Sequence, residues 1–254
     1  MDDREQNSSV IKAVLRGCAR RIGLKSIFIF GYDIELDTDS SCGLVETLVK
    51  YHSETLESVE FQAWNYHYRP FQLDQIFTDC QNLKSFKASR NEETMHNWMW
   101  FFHLPQYQWF FYGLKELYLH FHQYELYSDS VDMTRAELEA GEVMFKLIAD
   151  LIHLEVLALD FRYHRYETAA CWGFDDAIED KWVRKLAGLD KLRYVSMPLE
   201  CWSEGNLSKI IDSRWPRLER VSSRDLRQES RTGEDSTFHW LKKRRPWLTI
   251  GDLE

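Results

Sequence analysis

The strongest constraint on this fold is a short phrase, L-x-x-Φ-x-Φ with Φ an apolar residue, that occurs six times in 254 residues and a seventh time in degraded form, as LERVSS at 218–223. The last two apolar positions alternate with polar ones, which is the pattern of a short strand that buries one face. The leading leucine comes just before each strand and is expected to turn into the same core. The leading residues are Leu24, Leu56, Leu83, Leu114, Leu154, Leu192 and Leu218.

Apolar residues at helical spacing precede the copies of this phrase. The longest stripe begins at Leu138, and the others begin near Val10, Leu44, Phe71, Trp182 and Leu207. A helix followed by a short strand, repeated along the chain, predicts an α/β solenoid, because no single unit can bury its own apolar face. We expect one domain over residues 1–254, with parallel strands on a concave surface, helices on the convex one and a C-terminal cap over 235–254.

Three stretches resemble the leucine-rich repeats of F-box/leucine-rich-repeat proteins, particularly those of the long, irregular fungal kind. They are CQNLKSFKAS (80–89), KLAGLDKLRYVSMP (185–198) and SKIIDSRWPRLERV (208–221). The resemblance implies an α/β leucine-rich-repeat solenoid, a horseshoe of about seven irregular repeats. It also implies a protein-binding role as the substrate-recognition subunit of an F-box ubiquitin ligase, or as a remnant of one.

The sequence departs from this family in three respects. The leading leucines are 26 to 40 residues apart, whereas about 20–29 is usual for such repeats. Of the seven positions where a ladder-forming asparagine is often found, only Asn91 keeps one, so the turn carbonyls are expected to find other partners. No F-box is recognised, because the residues before Leu24 are interpreted as the helix of the first repeat. The other six positions are Tyr32, Trp64, His122, Arg162, Glu200 and Leu226.

Composition and motifs argue against several classes of function. A formal charge of −9 argues against a nucleic-acid partner. Five cysteines without a CxxC pair argue against a disulfide framework or zinc knuckle, and no signal peptide or membrane-spanning stretch is recognised. We therefore expect an intracellular monomer, cytoplasmic or nuclear, that binds a protein and needs no cofactor. The absence of nucleophile, phosphate-loop and zinc-protease motifs predicts that it is not an enzyme.

The candidate partner-binding residues are the polar positions of the phrase, which point away from the core of a strand. Tyr and Arg among them favour protein recognition, although all could be ordinary solvated positions of a parallel sheet. A scaffold unrelated to ubiquitin and, less favoured, an enzyme with its site in the solenoid groove remain alternatives. The candidates are Glu57, Glu60, Lys84, Lys87, Glu116, Tyr118, His120, Asp160, Arg193 and Tyr194.

Four other features allow two interpretations each. The aromatic block at 98–114 is interpreted as a buried packing element rather than an exposed anchor. His120 and His122 share a strand face but have no third metal ligand in sequence, so no metal site is expected. The inserts at 124–142 and 163–180 are either binding loops or neutral length variation. The basic run at 242–245 is interpreted as a solvated helix end rather than a localisation signal.

Overall fold

Each copy of the phrase forms a strand that begins two residues after its leading leucine. The computed structural model describes residues 13–18, 23–31, 44–63, 70–92, 113–123, 135–163, 184–197, 214–222 and 237–250. The strands are β1 (Ser26–Gly31), β2 (Ser58–Ala63), β3 (Ser85–Glu92), β4 (Glu116–Gln123), β5 (Val156–Tyr163), β6 (Tyr194–Ser196), β7 (Arg220–Ser222) and β8 (Thr249–Ile250). They form one sheet in chain order, with every neighbouring pair parallel. The prediction of an α/β chain with a parallel sheet is confirmed.

Helices connect the strands where the apolar stripes predicted them. Residues 13–18 are helical, followed by α1 (Leu44–His52), α2 (Pro70–Asp79), α3 (Arg135–Ala149) and α4 (Thr237–Arg244). The stripe from Trp182 gives only a short 3-10 helix at Leu186–Gly188 within the described residues. The stripe from Leu207 lies outside them. None of the helices in the described ranges is long and apolar enough to cross a membrane.

The C-terminal segment extends the sheet instead of only closing it. In β8, Thr249 and Ile250 pair with Arg220 and Val221 of β7, and Leu248 before them is fully buried. This strand does not match the repeated phrase, because only one residue separates Leu248 from Ile250, as L-x-Φ. The segment predicted as a cap therefore contains a helix and an eighth parallel strand.

The core lies between the helices and one face of the sheet. A row of register neighbours runs through the middle of this face, and all of its members from β2 to β7 are at most 1 % exposed. Helix residues such as Leu48, Ile76 and Ile148 belong to the same buried cluster. The opposite face, which we call the open face, carries the alternate strand residues. The buried row is Val59, Phe86, Leu117, Leu157, Val195 and Val221.

One tight turn recurs where the chain passes into several strands. The N–H of the leading leucine donates to the carbonyl three residues earlier, at 3.0 to 3.2 Å except for the 2.9 Å bond from Leu154 to Leu151. The residue that offers this carbonyl is buried at each of these turns. This geometry presents the leucine to the core after the helix ends. The accepting residues are Cys80, Leu151, Leu189, Trp215 and Arg245.

Buried polar side chains at such turns tie neighbouring repeats together. The N–H of Leu24 donates to Nδ1 of His52 at 3.1 Å, so Nε2 carries the ring proton and donates to the carbonyl of Leu15 at 2.9 Å. Trp215 Nε1 donates to the carbonyl of Leu186 at 3.1 Å, and Arg245 Nη1 donates to the carbonyl of Trp215 at 3.0 Å. These bonds satisfy turn carbonyls across repeats. The family's asparagine positions lie outside the residues whose side chains are described.

The Thr47 hydroxyl offers a test of core packing. Thr47 is 1 % exposed on α1, and its Oγ1 has no hydrogen-bond partner among the described residues. We expect Thr47→Val to raise the free energy of unfolding by about 1 kcal/mol, because an unpaired buried hydroxyl is replaced by a methyl group of similar size. Guanidinium unfolding of both proteins measures the change.

Thr55 provides the matched control for this substitution. Its hydroxyl donates to the carbonyl of Leu24 at 2.9 Å, so Thr55→Val should lower the free energy of unfolding by about 1 kcal/mol. A loss of stability in Thr47→Val equal to that in Thr55→Val would show that the Thr47 hydroxyl is satisfied.

Candidate protein-binding surface

The open face carries two parallel rows of side chains. We call the first the Glu116 row and the second, two residues further along each strand, the Tyr118 row. Members of each row are direct register neighbours, so their side chains stand side by side on adjacent strands. The Glu116 row is Ser58, Ser85, Glu116, Val156, Tyr194 and Arg220, and the Tyr118 row is Glu60, Lys87, Tyr118, Ala158, Ser196 and Ser222.

Tyr118 forms a cation–π contact with Lys87, whose Nζ lies 4.6 Å from the ring centroid. Burial raises the pKa of Tyr118 to about 12, and the charges of Glu116, Tyr194 and Glu60 act in the same direction. The phenol therefore stays protonated at physiological pH and can donate a hydrogen bond to a partner. Glu60, Lys87 and Tyr118, three of the predicted residues, are consecutive members of one row.

Tyr194 forms the second aromatic–cation pair of this face. The guanidinium carbon of Arg220 lies 6.0 Å from the Tyr194 ring centroid, and Tyr194 is only 7 % exposed. Ala158 is the register neighbour of Tyr118 on β5, next to the strand that carries Tyr194. This alanine is 2 % exposed despite its place on the open face. A small residue there leaves room for two large rings on neighbouring strands.

A third row lies just before the strands, at the second position of the phrase, and we call it the charged edge row. Every copy carries a charge there: Lys25, Glu57, Lys84, Lys115, Glu155, Arg193 and Glu219. Backbone geometry aligns the row, because from Lys25 to Arg193 each carbonyl accepts two N–H groups from the next repeat. The carbonyl of Lys25, for example, accepts from Glu57 at 2.7 Å and from Ser58 at 3.0 Å.

The charged edge row is an ion-pair ladder between repeats. The Glu57 carboxylate contacts Lys25 Nζ at 3.3 Å and also Lys84, and Lys115 contacts Glu155 at 3.0 Å. Arg193 binds Glu219 with two bonds of 3.0 and 2.8 Å. Lys84 and then Lys25 lower the pKa of Glu57, and Arg193 lowers the pKa of Glu219. These groups are accessible to solvent, so each ion pair contributes little to the free energy of unfolding.

The structure describes the side chains of eight of the ten predicted residues and divides these eight between two places. Glu60, Lys87, Glu116, Tyr118 and Tyr194 lie on the open face, where Glu116 accepts a 2.9 Å hydrogen bond from Ser85. Glu57, Lys84 and Arg193 lie in the charged edge row and are paired within the molecule. His120 of β4 and Asp160 of β5 are register neighbours. Their side chains are not among those that the structure describes.

Sequence reasoning missed Arg220 and three members of the charged edge row: Lys25, Lys115 and Glu219. The seventh copy lacks the last apolar residue of the phrase, because Ser223 stands there, and no site residue is predicted in it. The signal for the edge row was present, since a charge occupies the second position of every copy. The described residues do not include most of the aromatic block (98–112) or of the two inserts (124–134 and 164–180). The side chain of His122 is also outside them.

The open face offers hydrogen-bond donors, cations and aromatic rings for binding. No group of three His, Cys, Asp or Glu side chains that could hold a metal ion occurs within the described ranges. The Cys80 thiol lies in the core, where burial and then the charge of Asp79 raise its pKa to about 12. This thiol is therefore protonated and unreactive.

Comparisons with known proteins give no assignment. No protein-family model matches the chain, and no curated protein shows significant sequence similarity to it.

Proposed function

We propose that this chain is a leucine-rich-repeat solenoid that binds another protein through the open face of its parallel sheet. The observation that carries the proposal is the pairing of aromatic and cationic side chains there, Tyr118 with Lys87 and Tyr194 with Arg220. Tyr and Arg dominate the few contacts that supply most of the binding energy in protein interfaces.

The arrangement also favours binding at low entropic cost. Tyr118 and Tyr194 lie on β4 and β6 of one hydrogen-bonded sheet, and each ring is held by a cation. Side chains fixed in this way lose little rotamer freedom when a partner docks. Glu60 and Glu116 beside them supply acceptors, so the face can recognise a partner that presents apolar, acidic and basic groups together.

More specifically, we propose that this chain is the substrate-recognition subunit of an F-box type ubiquitin ligase, or a remnant of one. Its support is the resemblance of residues 80–89, 185–198 and 208–221 to repeats of that family. A repeat scaffold unrelated to ubiquitin would use the same surface. The two differ in whether a ligase adaptor accompanies the bound protein.

The test is affinity capture of the full chain from its native cell extract, followed by affinity measurement with the purified main partner. We expect the double variant Tyr118→Ala, Tyr194→Ala to weaken binding about 100-fold, because it removes the Tyr118 contact and the ring against which Arg220 packs. The matched control is Tyr51→Ala, whose ring is 39 % exposed on α1, and it should bind as the parent does.

A second variant separates loss of binding from loss of folding. Lys87→Glu with Arg220→Glu reverses both cations beside the tyrosines without opening the core, and it should also abolish capture. If either open-face variant, folded by circular dichroism, keeps full affinity, the open face is not the binding site. Failure to capture any specific protein with the folded parent chain overturns the proposal. Recovery of a ligase adaptor with the partner supports the ubiquitin-ligase role. Recovery of a partner without an adaptor supports a repeat scaffold unrelated to ubiquitin.

A further inference from the structure

A cavity of about 500 Å³ lies beside the charged edge row, where strands β5 to β8 begin. We call it the edge groove. Its walls combine members of that row with residues of the turns that precede the leading leucines. It is therefore separate from the open face, since its residues come before the strands and not from within them. The charged and aromatic residues of its wall are Glu155, Lys191, Arg193, Arg217, Glu219 and Trp247.

Trp247 is the most exposed of the large hydrophobic side chains in the described residues, at 68 %. It occupies the turn position just before Leu248. The equivalent position before other leading leucines holds Asn82, His153, Lys191 or Arg217. The turn itself is the same, because the N–H of Leu248 donates to the carbonyl of Arg245 at 3.0 Å. A polar residue would serve the fold here, so the exposed indole suggests a contact with another molecule.

The chain segments that form most of the edge groove are basic, although the chain as a whole is acidic. Segments 184–197, 214–222 and 237–250 contain eleven Lys and Arg but only two acidic residues, Asp190 and Glu219, whereas the whole chain carries −9. The acids in the groove wall are already paired, Glu219 with Arg193 and Glu155 with Lys115. Lys191 contacts the His153 ring, and neither Lys191 nor Arg217 has an acidic partner among the described residues. The groove wall therefore contains two cationic residues without an acidic partner, together with an exposed indole.

We propose that the edge groove binds an acidic peptide segment of a partner protein. Its carboxylates contact Lys191 and Arg217, and an apolar side chain packs against Trp247. The size fits a short peptide segment, since the pockets that bind drug-sized ligands occupy about 300–1,000 Å³. A nucleic-acid backbone is the poorer occupant, because it needs a longer basic face than the two cations without an acidic partner, Lys191 and Arg217, provide in the groove wall. This site is a second contact surface, beyond the proposed function of the open face.

The test uses the full chain and a short fluorescein-labelled peptide of glutamates around a central phenylalanine, with binding followed by anisotropy. The same peptide with glutamines in place of glutamates is the control ligand. We expect the glutamate peptide to bind more weakly as salt rises and the glutamine peptide to bind at least about tenfold more weakly. Lys191→Gln with Arg217→Gln should weaken glutamate-peptide binding about tenfold, and Trp247→Ala should do the same.

Lys243→Gln is the matched control, since this exposed lysine of α4 belongs to the same basic region but not to the groove wall. It should leave peptide binding unchanged, as should Tyr118→Ala with Tyr194→Ala, which tests the open face instead. If Lys243→Gln lost as much affinity for the peptide as the groove variants, the binding would depend only on net charge, and the proposal would be overturned. The absence of peptide binding, or tighter groove-dependent binding of a single-stranded oligonucleotide, would also overturn it.

Discussion

Replacing Trp215 with alanine is expected to lower the free energy of unfolding by about 3–5 kcal/mol, the range for large aromatic side chains removed from a core. Trp215 is 0 % exposed and is among the largest of the fully buried side chains. It also joins three repeats, since its Nε1 donates to the carbonyl of Leu186 and its own carbonyl accepts from Arg245. Truncation leaves a cavity and removes the donor to a carbonyl that faces the core. Guanidinium unfolding measures the loss.

Trp215→Phe separates the two contributions. Phenylalanine keeps most of the packing but cannot donate to Leu186, so we expect a loss of about 1–3 kcal/mol. The matched control is Trp247→Ala, which removes the same side chain at 68 % exposure and should change stability by less than about 0.5 kcal/mol. A small effect of Trp215→Ala, comparable to that of Trp247→Ala, would contradict the inferred core at the end of the sheet.

Phe86→Ala is expected to have an effect of similar size at the centre of the sheet, about 3–5 kcal/mol. Phe86 is 0 % exposed on β3, with ring centroids 4.5 Å from Phe77 of α2 and 6.2 Å from Phe61 of β2. It is thus the ring through which a helix and two strands meet. Edge-to-face contacts between such rings add to the area that they bury.

Phe28→Ala is the matched control, because Phe28 lies on β1 of the same sheet but is 57 % exposed. It should change the unfolding free energy by less than about 0.5 kcal/mol. Repeat proteins are stabilised by contacts between neighbours, so amide exchange in Phe86→Ala should rise most in β2 to β4. Uniform acceleration across all strands would instead show that the chain unfolds as a single unit.

The strands and most of the helices could be predicted because their signals are local. Leu117 and Leu119 alternate with Tyr118 along a few consecutive residues, and this period alone assigns one face to the core. The stripes that led to α1, α2 and α3 are equally local. The parallel order of the strands also followed, since a helix after each strand returns the chain in the same direction.

The candidate surface was predicted less completely, because a single sequence gives no distances between repeats. Glu57 and Glu60 both read as polar positions of one phrase, yet Glu57 is paired with Lys25 and Lys84 at the strand entry. Glu60 lies on the open face, one register neighbour from Lys87. Glu57 comes just before β2 and Glu60 lies within it, and only the sheet register shows which charges meet.

By itself, the sequence determined that this chain builds helix–strand units with one buried face per strand, because apolar periodicity depends only on neighbours along the chain. Tertiary structure decided which side chains from different repeats come together. It stacked Lys87 beside Tyr118 and Arg220 beside Tyr194, and it placed Trp247 in the same groove wall as Lys191 and Arg217. These contacts join residues that are separated by a whole repeat, and their geometry is set by strand register and turn length.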